Sequence, residues 1–186
     1  MRPRRSSPRR RTIVLLTIAL LGSTYATLSC LPPAIPDQTG FAPLADLATG
    51  GQAVARLYSA PIPNIEAIAT HAWFVVKSAE ATTFDRWELL QTASGGPFGL
   101  VRRNLLAPES GVGADGVFVV AELIGPAAEP VVDFITDRSP TYPCRNTYFF
   151  LGPNSNTYAQ WVLDNTGWTA ELPATAIGKD AAVNCP

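Results

Sequence analysis

One stretch constrains the chain more than any other: Leu151-Gly-Pro-Asn-Ser-Asn-Thr-Tyr-Ala-Gln-Trp161. Tyr148, Phe149, Phe150 and Leu151 lead into it as an aromatic and aliphatic run with strand preference. Gly152 and Pro153 stop that run. Asn154 or Ser155 then caps a helix that carries Tyr158, Trp161 and Val162 on one face and ends at Asn165 and Gly167. The chain must pass from extended to helical within a few residues. In doing so it sets the Ser155 hydroxyl at a helix N-terminus, where backbone N–H groups and the dipole favour developing negative charge. A serine so placed is either a nucleophile or an ordinary cap.

The N-terminus fixes where such a fold would reside. Arg2, Arg4, Arg5, Arg9, Arg10 and Arg11 precede the apolar run Ile13–Leu21, and no further charge appears before Asp37. A basic region followed by a short apolar one is a secretory signal pattern. Thr12–Leu31 also has about the 20 residues that span a bilayer, which makes a retained membrane anchor the alternative. Thr27-Leu-Ser-Cys30 resembles a bacterial lipoprotein box, with Cys30 as the lipidated residue. Under each reading the arginines stay cytoplasmic and the remainder is exported; the location expected is the membrane-associated, periplasmic side of a bacterial envelope, with the lipoprotein or the anchor supplying the attachment.

Charge and cysteine usage follow from that division. The chain has 14 basic and 15 acidic residues, and the leader takes six of the arginines and no acid, so the exported part carries a net charge of about −7. An acidic surface of this kind excludes nucleic acid as a natural partner. If Cys30 is lipidated or removed, Cys144 and Cys185 remain, and in an oxidising compartment they either pair as a disulfide or persist as thiols. With one histidine and no Cys-x-x-Cys pair, neither a metal nor a cofactor is expected.

Three segments result: residues 1–31 as signal peptide, lipoprotein signal or anchor, 32–54 as linker and weak helix, and 55–186 as one globular domain. Leu31–Pro43 is a proline-rich stalk, and Leu44, Leu47, Val54 and Leu57 give a weak helical spacing across 44–58. Thr70–Lys77 reads as a strand bearing His71, the only imidazole available as a base. Phe84–Gln91 reads as a second strand, with Trp87 and Leu89 alternating against Arg86 and Glu88. Thr92–Asn104 is a glycine-containing loop whose Arg102 and Arg103 offer positive charge. Gly116–Gly125 is a nearly all-apolar, hence central, third strand, Pro126–Asp137 a short helix, and Asn146–Leu151 a further strand. The fold class expected is α+β, a small antiparallel sheet with packed helices.

This order, a histidine strand followed late in the chain by a small nucleophile opening a helix, resembles the circularly permuted papain-like superfamily. That group includes lecithin:retinol acyltransferase-like proteins and permuted NlpC/P60 enzymes. Its cysteine lies in an Asn-Cys-x-x-Phe context, with which Asn154-Ser155-Asn156-Thr157-Tyr158 aligns, serine standing in the cysteine position. Gly152–Tyr158, Leu172–Asp180 and His71-Ala-Trp73 more closely resemble a bacterial family of uncharacterised envelope proteins with a Gly-Pro-Asn-Ser-Asn-Thr-Phe turn and a Thr-Ala-Ile-Gly-Lys-Asp tail. In this chain Tyr158 stands for the phenylalanine and Ala72 for a threonine, and that family brings no established activity.

The chemistry these residues suggest is of two kinds. In one, Ser155 attacks an amide or ester of envelope material, His71 is its base, Glu88 orients the imidazole, and the helix N-terminus stabilises the oxyanion. In the other, the scaffold has lost its nucleophile. It then binds a peptide, glycan or lipid through Asn154, Asn156, Trp73, Lys179 and Asp180. A serine hydroxyl ionises far less readily than a cysteine thiol, which favours binding.

Overall fold

The computed structural model describes residues 50–90 and 100–185. Five strands form one antiparallel sheet: β1 (Val54–Pro61), β2 (Thr70–Lys77), β3 (Asp85–Leu89), β4 (Val101–Arg103) and β5 (Phe118–Ile124). Their spatial order is β4-β3-β2-β1-β5. β1 to β4 form a meander, and the chain then returns so that β5 pairs with the free side of β1, Val54 opposite Ile124 and Ser59 opposite Phe118. Two helices follow, α1 (Glu129–Arg138) and α2 (Ser155–Thr166). The architecture is a small α+β fold, an open antiparallel sheet with two helices.

Both faces of the sheet are covered, by different means. Ala55, Leu57, Ala72, Phe74, Val76, Trp87 and Leu89 share a core with Val131 and Ile135 of α1 and with Tyr158, Ala159 and Val162 of α2. Tyr158 lies edge-on to Phe74 and to Tyr142, with ring centroids 6.1 and 5.4 Å apart. The opposite face gathers Val54, Tyr58, Ala60, Trp73, Val75 and Phe84. The β4–β5 connection crosses that face: the Trp73 indole N–H donates to Pro108 O at 2.8 Å, and Tyr58 donates to Glu109 at 2.9 Å. With both faces covered, every residue of β2 is buried, polar ones included.

Several expectations give way here. Residues 54–58 are not helical; they belong to β1, which pairs with β2 on one side and β5 on the other. Gly116–Gly125 does contain a strand, but β5 is an edge, with Phe118 and Val119 largely exposed. No strand forms over Asn146–Leu151; Thr147–Phe149 is irregular and a turn follows, with Gly152 N–H donating to Phe149 O. Arg102 and Arg103 belong to β4 rather than to a loop, and Arg102 is buried. The second helix is as expected. Asn154 is its cap, Thr166 its last residue and Gly167, at φ 68°, its left-handed terminator. Among the described residues no helix is long and apolar enough to cross a membrane; Cys30 and the run Thr12–Leu31 lie outside them.

Cys144 and Cys185 form a disulfide that ties the tail to the segment leading into α2, 41 residues away in sequence. A closed loop of that length is expected to contribute about 4 kcal/mol by restricting the unfolded chain. Cys185→Ser should therefore lower the unfolding free energy by up to about that amount. Urea titrations of wild type with and without reductant check it: reduction should shift the wild type and leave the variant where it is.

Candidate functional site

The N-terminus of α2, the C-terminal tail and the start of β2 meet at one point. Asn154 caps the helix: its Oδ1 accepts from the N–H groups of Asn156 and Thr157 at 2.9 and 3.2 Å, and Thr157 Oγ1 accepts from Asn154 N–H at 3.0 Å. That reciprocal pair is a capping box with asparagine and threonine in its two places. The amide of Asn154 donates outward, to Phe150 O and Ile177 O at 2.9 and 3.0 Å. Asn156 Nδ2 donates to Thr70 O and Ile177 O at 2.8 and 2.9 Å, and the Thr157 hydroxyl donates to Gly178 O at 2.6 Å. Thr70 N–H in turn donates to Thr175 O at 2.9 Å. The turn 152–158 and the tail 172–180 are thus two halves of one clamp. Gly178, at φ +84°, is required within it, because a Cβ there would collide with the Asn154 amide.

Ser155 is the first residue of α2 and is buried. The Tyr148 phenol lies beside its hydroxyl on the same small cavity. Burial raises the pKa of that phenol, the neighbouring Ser155 hydroxyl opposes the rise, and the negative charge of Glu88 adds to it. A phenol held protonated in this way is no base at neutral pH. Beside Ser155 lies a cavity of about 20 Å³ bounded by Ile62, Ala69, Thr70, Tyr148, Phe150 and Asn156, room for a single water molecule. The side-chain oxygen of Asn156 is buried next to it without a hydrogen-bond partner among the described residues.

His71 belongs to a different network. Strand alternation places its side chain on the face of Trp73 and Val75, while α2 packs on the face of Ala72 and Phe74. Its Nε2 lies 2.9 Å from Glu88 Oε2. Glu88 is gripped by Arg86 through two bonds, Nε to Oε1 at 2.8 Å and Nη2 to Oε2 at 2.7 Å. Arg86 stacks over the Trp73 ring at 4.3 Å, and its Nη1 donates to Ala107 O and Ser110 O. Burial alone would raise the Glu88 pKa; the Arg86 charge and the hydrogen bond and charge of His71 outweigh it and hold the carboxyl at about 2. An ionised carboxylate only accepts, so His71 Nε2 is the donor in this bond. Among the described residues no hydrogen bond joins His71 to Ser155.

The remaining candidates divide. Trp73 is wholly buried, stacked on Tyr58 at 5.4 Å and bonded to Pro108. Lys179 and Asp180 line an open groove of about 430 Å³ together with Gln160, Asp164, Glu171 and Leu172, and Lys179 Nζ donates to Leu172 O at 3.1 Å. Among the described residues no three His, Cys, Asp or Glu side chains converge as a metal site. Sequence reasoning overlooked Arg86 and Tyr148. The signal for Arg86 was an arginine two residues before the glutamate, hence on the same face of the strand and within reach of it. Tyr148 had no comparable signal, because its placement depends on a turn read as a strand.

The Glu88 carboxylate carries a pH signature. Its folded pKa lies below the ordinary 4.5, so it stabilises the fold above that value and the contribution is lost as pH falls toward 2. Glu88→Gln should cost about 3–5 kcal/mol at neutral pH by leaving buried Arg86 unpaired. The gap between wild type and variant should narrow on acidification. Chemical denaturation at several acidic pH values tests this, and a gap constant with pH contradicts it.

Comparison with curated proteins finds no match, and comparison with solved structures finds none either. A family's sequence pattern does match, over residues 52–181, the span from the start of the sheet to the end of the clamped tail. The chain belongs to the family described as Protein of unknown function (DUF3750).

Proposed function

We propose that this chain is an envelope binding module, tethered to the membrane by its N-terminal segment, in which a permuted papain-like scaffold holds serine in the nucleophile position and binds a peptide, glycan or lipid without cleaving it. The observation that carries this reading is the hydroxyl of Ser155, buried beside Tyr148 and space for one water, while the imidazole of His71 is bonded to Glu88 instead. A nucleophilic serine needs a base within hydrogen-bond reach and room for an acyl group beside it.

The groove of Gln160, Asp164, Glu171, Lys179 and Asp180 is the favoured ligand surface. It is open, polar and richer in carboxylates than in cations, which suits a peptide presenting amines and backbone amides. One observation favours the alternative, a serine-dependent amidase, esterase or acyltransferase: Glu88 holds the His71 ring through Nε2, and orientation of an imidazole by a carboxylate is a feature of general-base catalysis.

Two measurements separate these readings. A fluorophosphonate probe should leave the full-length protein unlabelled, whereas labelling abolished by both Ser155→Ala and His71→Ala would establish the enzyme instead. In calorimetric titrations, amine-bearing peptides should bind, and Asp164→Asn with Asp180→Asn should weaken them about tenfold, the equivalent of about 1.4 kcal/mol. Neutral oligosaccharides binding equally well to wild type and variant would overturn the groove assignment.

A further inference from the structure

Six of the seven large hydrophobic side chains exposed on the described residues lie at one end of the sheet. Phe149, Phe150 and Leu151 are 63, 52 and 73 % exposed, and Ile68 is 60 % exposed. Phe150 borders the small cavity with Ile62 and Ala69, which brings the Phe149–Leu151 turn beside the β1–β2 connection that carries Ile68. Phe118 and Val119 begin β5 opposite Ser59 and Tyr58, near the same end of β1. Ile124 stands apart, opposite Val54 at the other end.

The protruding turn is fastened rather than loose. Phe149 N–H donates to Pro153 O at 2.8 Å, Gly152 N–H to Phe149 O at 2.9 Å, and the Asn154 amide to Phe150 O at 2.9 Å. The helix cap therefore holds three bulky apolar side chains out in water. From Asn146 to Leu163 the chain carries no charged residue. A rigid, uncharged apolar projection of this kind marks an interaction surface.

We infer that this end of the domain docks into a lipid bilayer, with Phe149, Phe150 and Leu151 entering the interfacial layer as a membrane-resting tip. The inference rests on the membrane-tether reading of Thr12–Leu31. That tether makes the bilayer the surface the tip meets at the highest local concentration, because only residues 32–49 separate it from the described domain. The chain enters β1 at Val54, the end remote from the tip. Eighteen residues reach up to about 60 Å when extended, against roughly 25 Å for the eight-residue strand, so the tether permits this orientation. Burial of an apolar face to a depth of about 5–10 Å is typical of proteins that lie on the interface.

The test uses the full chain reconstituted in phosphatidylcholine vesicles, with and without bromine on the acyl chains. Bromine quenches tryptophan only at short range, so Phe150→Trp reports on the tip and Ile124→Trp on the far end of the sheet, both at exposed positions. Vesicle flotation reports on the tether separately. We expect the chain to float, and the emission added by Phe150→Trp to be quenched at least about twofold more than that added by Ile124→Trp. Flotation with equal quenching, or with none, overturns the docking and leaves the tether standing. Unquenched emission in a chain that sediments as a dimer assigns the patch to a second copy and likewise overturns it. Failure to float removes the tether reading and the docking with it.

Discussion

Asn156 holds the fold together at its most crowded point. Its two amide hydrogens go to Thr70 O and Ile177 O, so one side chain ties the first residue of β2 to the tail while its own backbone belongs to α2. Asn156 and Thr70 are buried and Ile177 is partly so, and a buried amide or carbonyl without a partner costs about 1–3 kcal/mol. Removing the tail would thus strand several donors at once. The Asn154 amide and the Thr157 hydroxyl would lose Ile177 O and Gly178 O together. This explains why two short motifs some twenty residues apart occur in one chain: the first supplies donors and the second presents carbonyls. The disulfide at Cys185 closes the same tail from its far end.

A second constraint acts across the sheet. Arg86 and Glu88 are both fully buried, which is tolerable because the pair is bidentate and Nη1 donates to two further carbonyls. The carbonyls that satisfy Arg86 come from Ala107 and Ser110 on the β4–β5 connection. The crossing is therefore held by charge as well as by the apolar contacts of Trp73. His71 sits at the edge of this network, and its hydrogen bond adds a third to a carboxylate already held twice by arginine. Orientation of an imidazole by a carboxylate serves a catalytic base, but the same bond also satisfies a buried ring nitrogen.

Legibility in the sequence followed the locality of the physics. The second helix was readable almost to the residue, because Asn154, the apolar spacing of Tyr158 and Val162, and Gly167 are each local instructions. β2 was readable because Trp73, Phe74, Val75 and Val76 allow little else. β1 was not: Val-Ala-Arg-Leu-Tyr-Ser-Ala-Pro holds good helix formers, and both of its faces are buried, so no apolar–polar alternation marks it. The apolar run of β5 suggested a central strand, yet the return of the chain beside β1 left it at the edge. Phe149 to Leu151 misled in the same way, since aromatic enrichment was taken for a strand when these side chains project from a turn. Within the candidate site, the pairing of His71 with Glu88 could be anticipated from alternation along neighbouring strands, while the placement of Tyr148 beside Ser155 depended on the path of a turn.

The two networks also differ in what each leaves free. On the His71 side the polar groups are spent on one another: Glu88 is bonded to both His71 and Arg86, and the indole of Trp73 donates to a carbonyl. On the Ser155 side one strong acceptor, Asn156 Oδ1, has no hydrogen-bond partner among the described residues and lies beside space for a single water. A buried acceptor in a cavity of that size is satisfied by one water, which needs two or more polar neighbours, and the Ser155 and Tyr148 hydroxyls border the same cavity. Expanding the cavity to admit a substrate would require moving Tyr148 or Phe150, and Phe150 belongs to the turn fastened to the helix cap. The geometry that makes the clamp stable is therefore the geometry that keeps the serine enclosed, and any ligand meets the domain first at its outer surfaces.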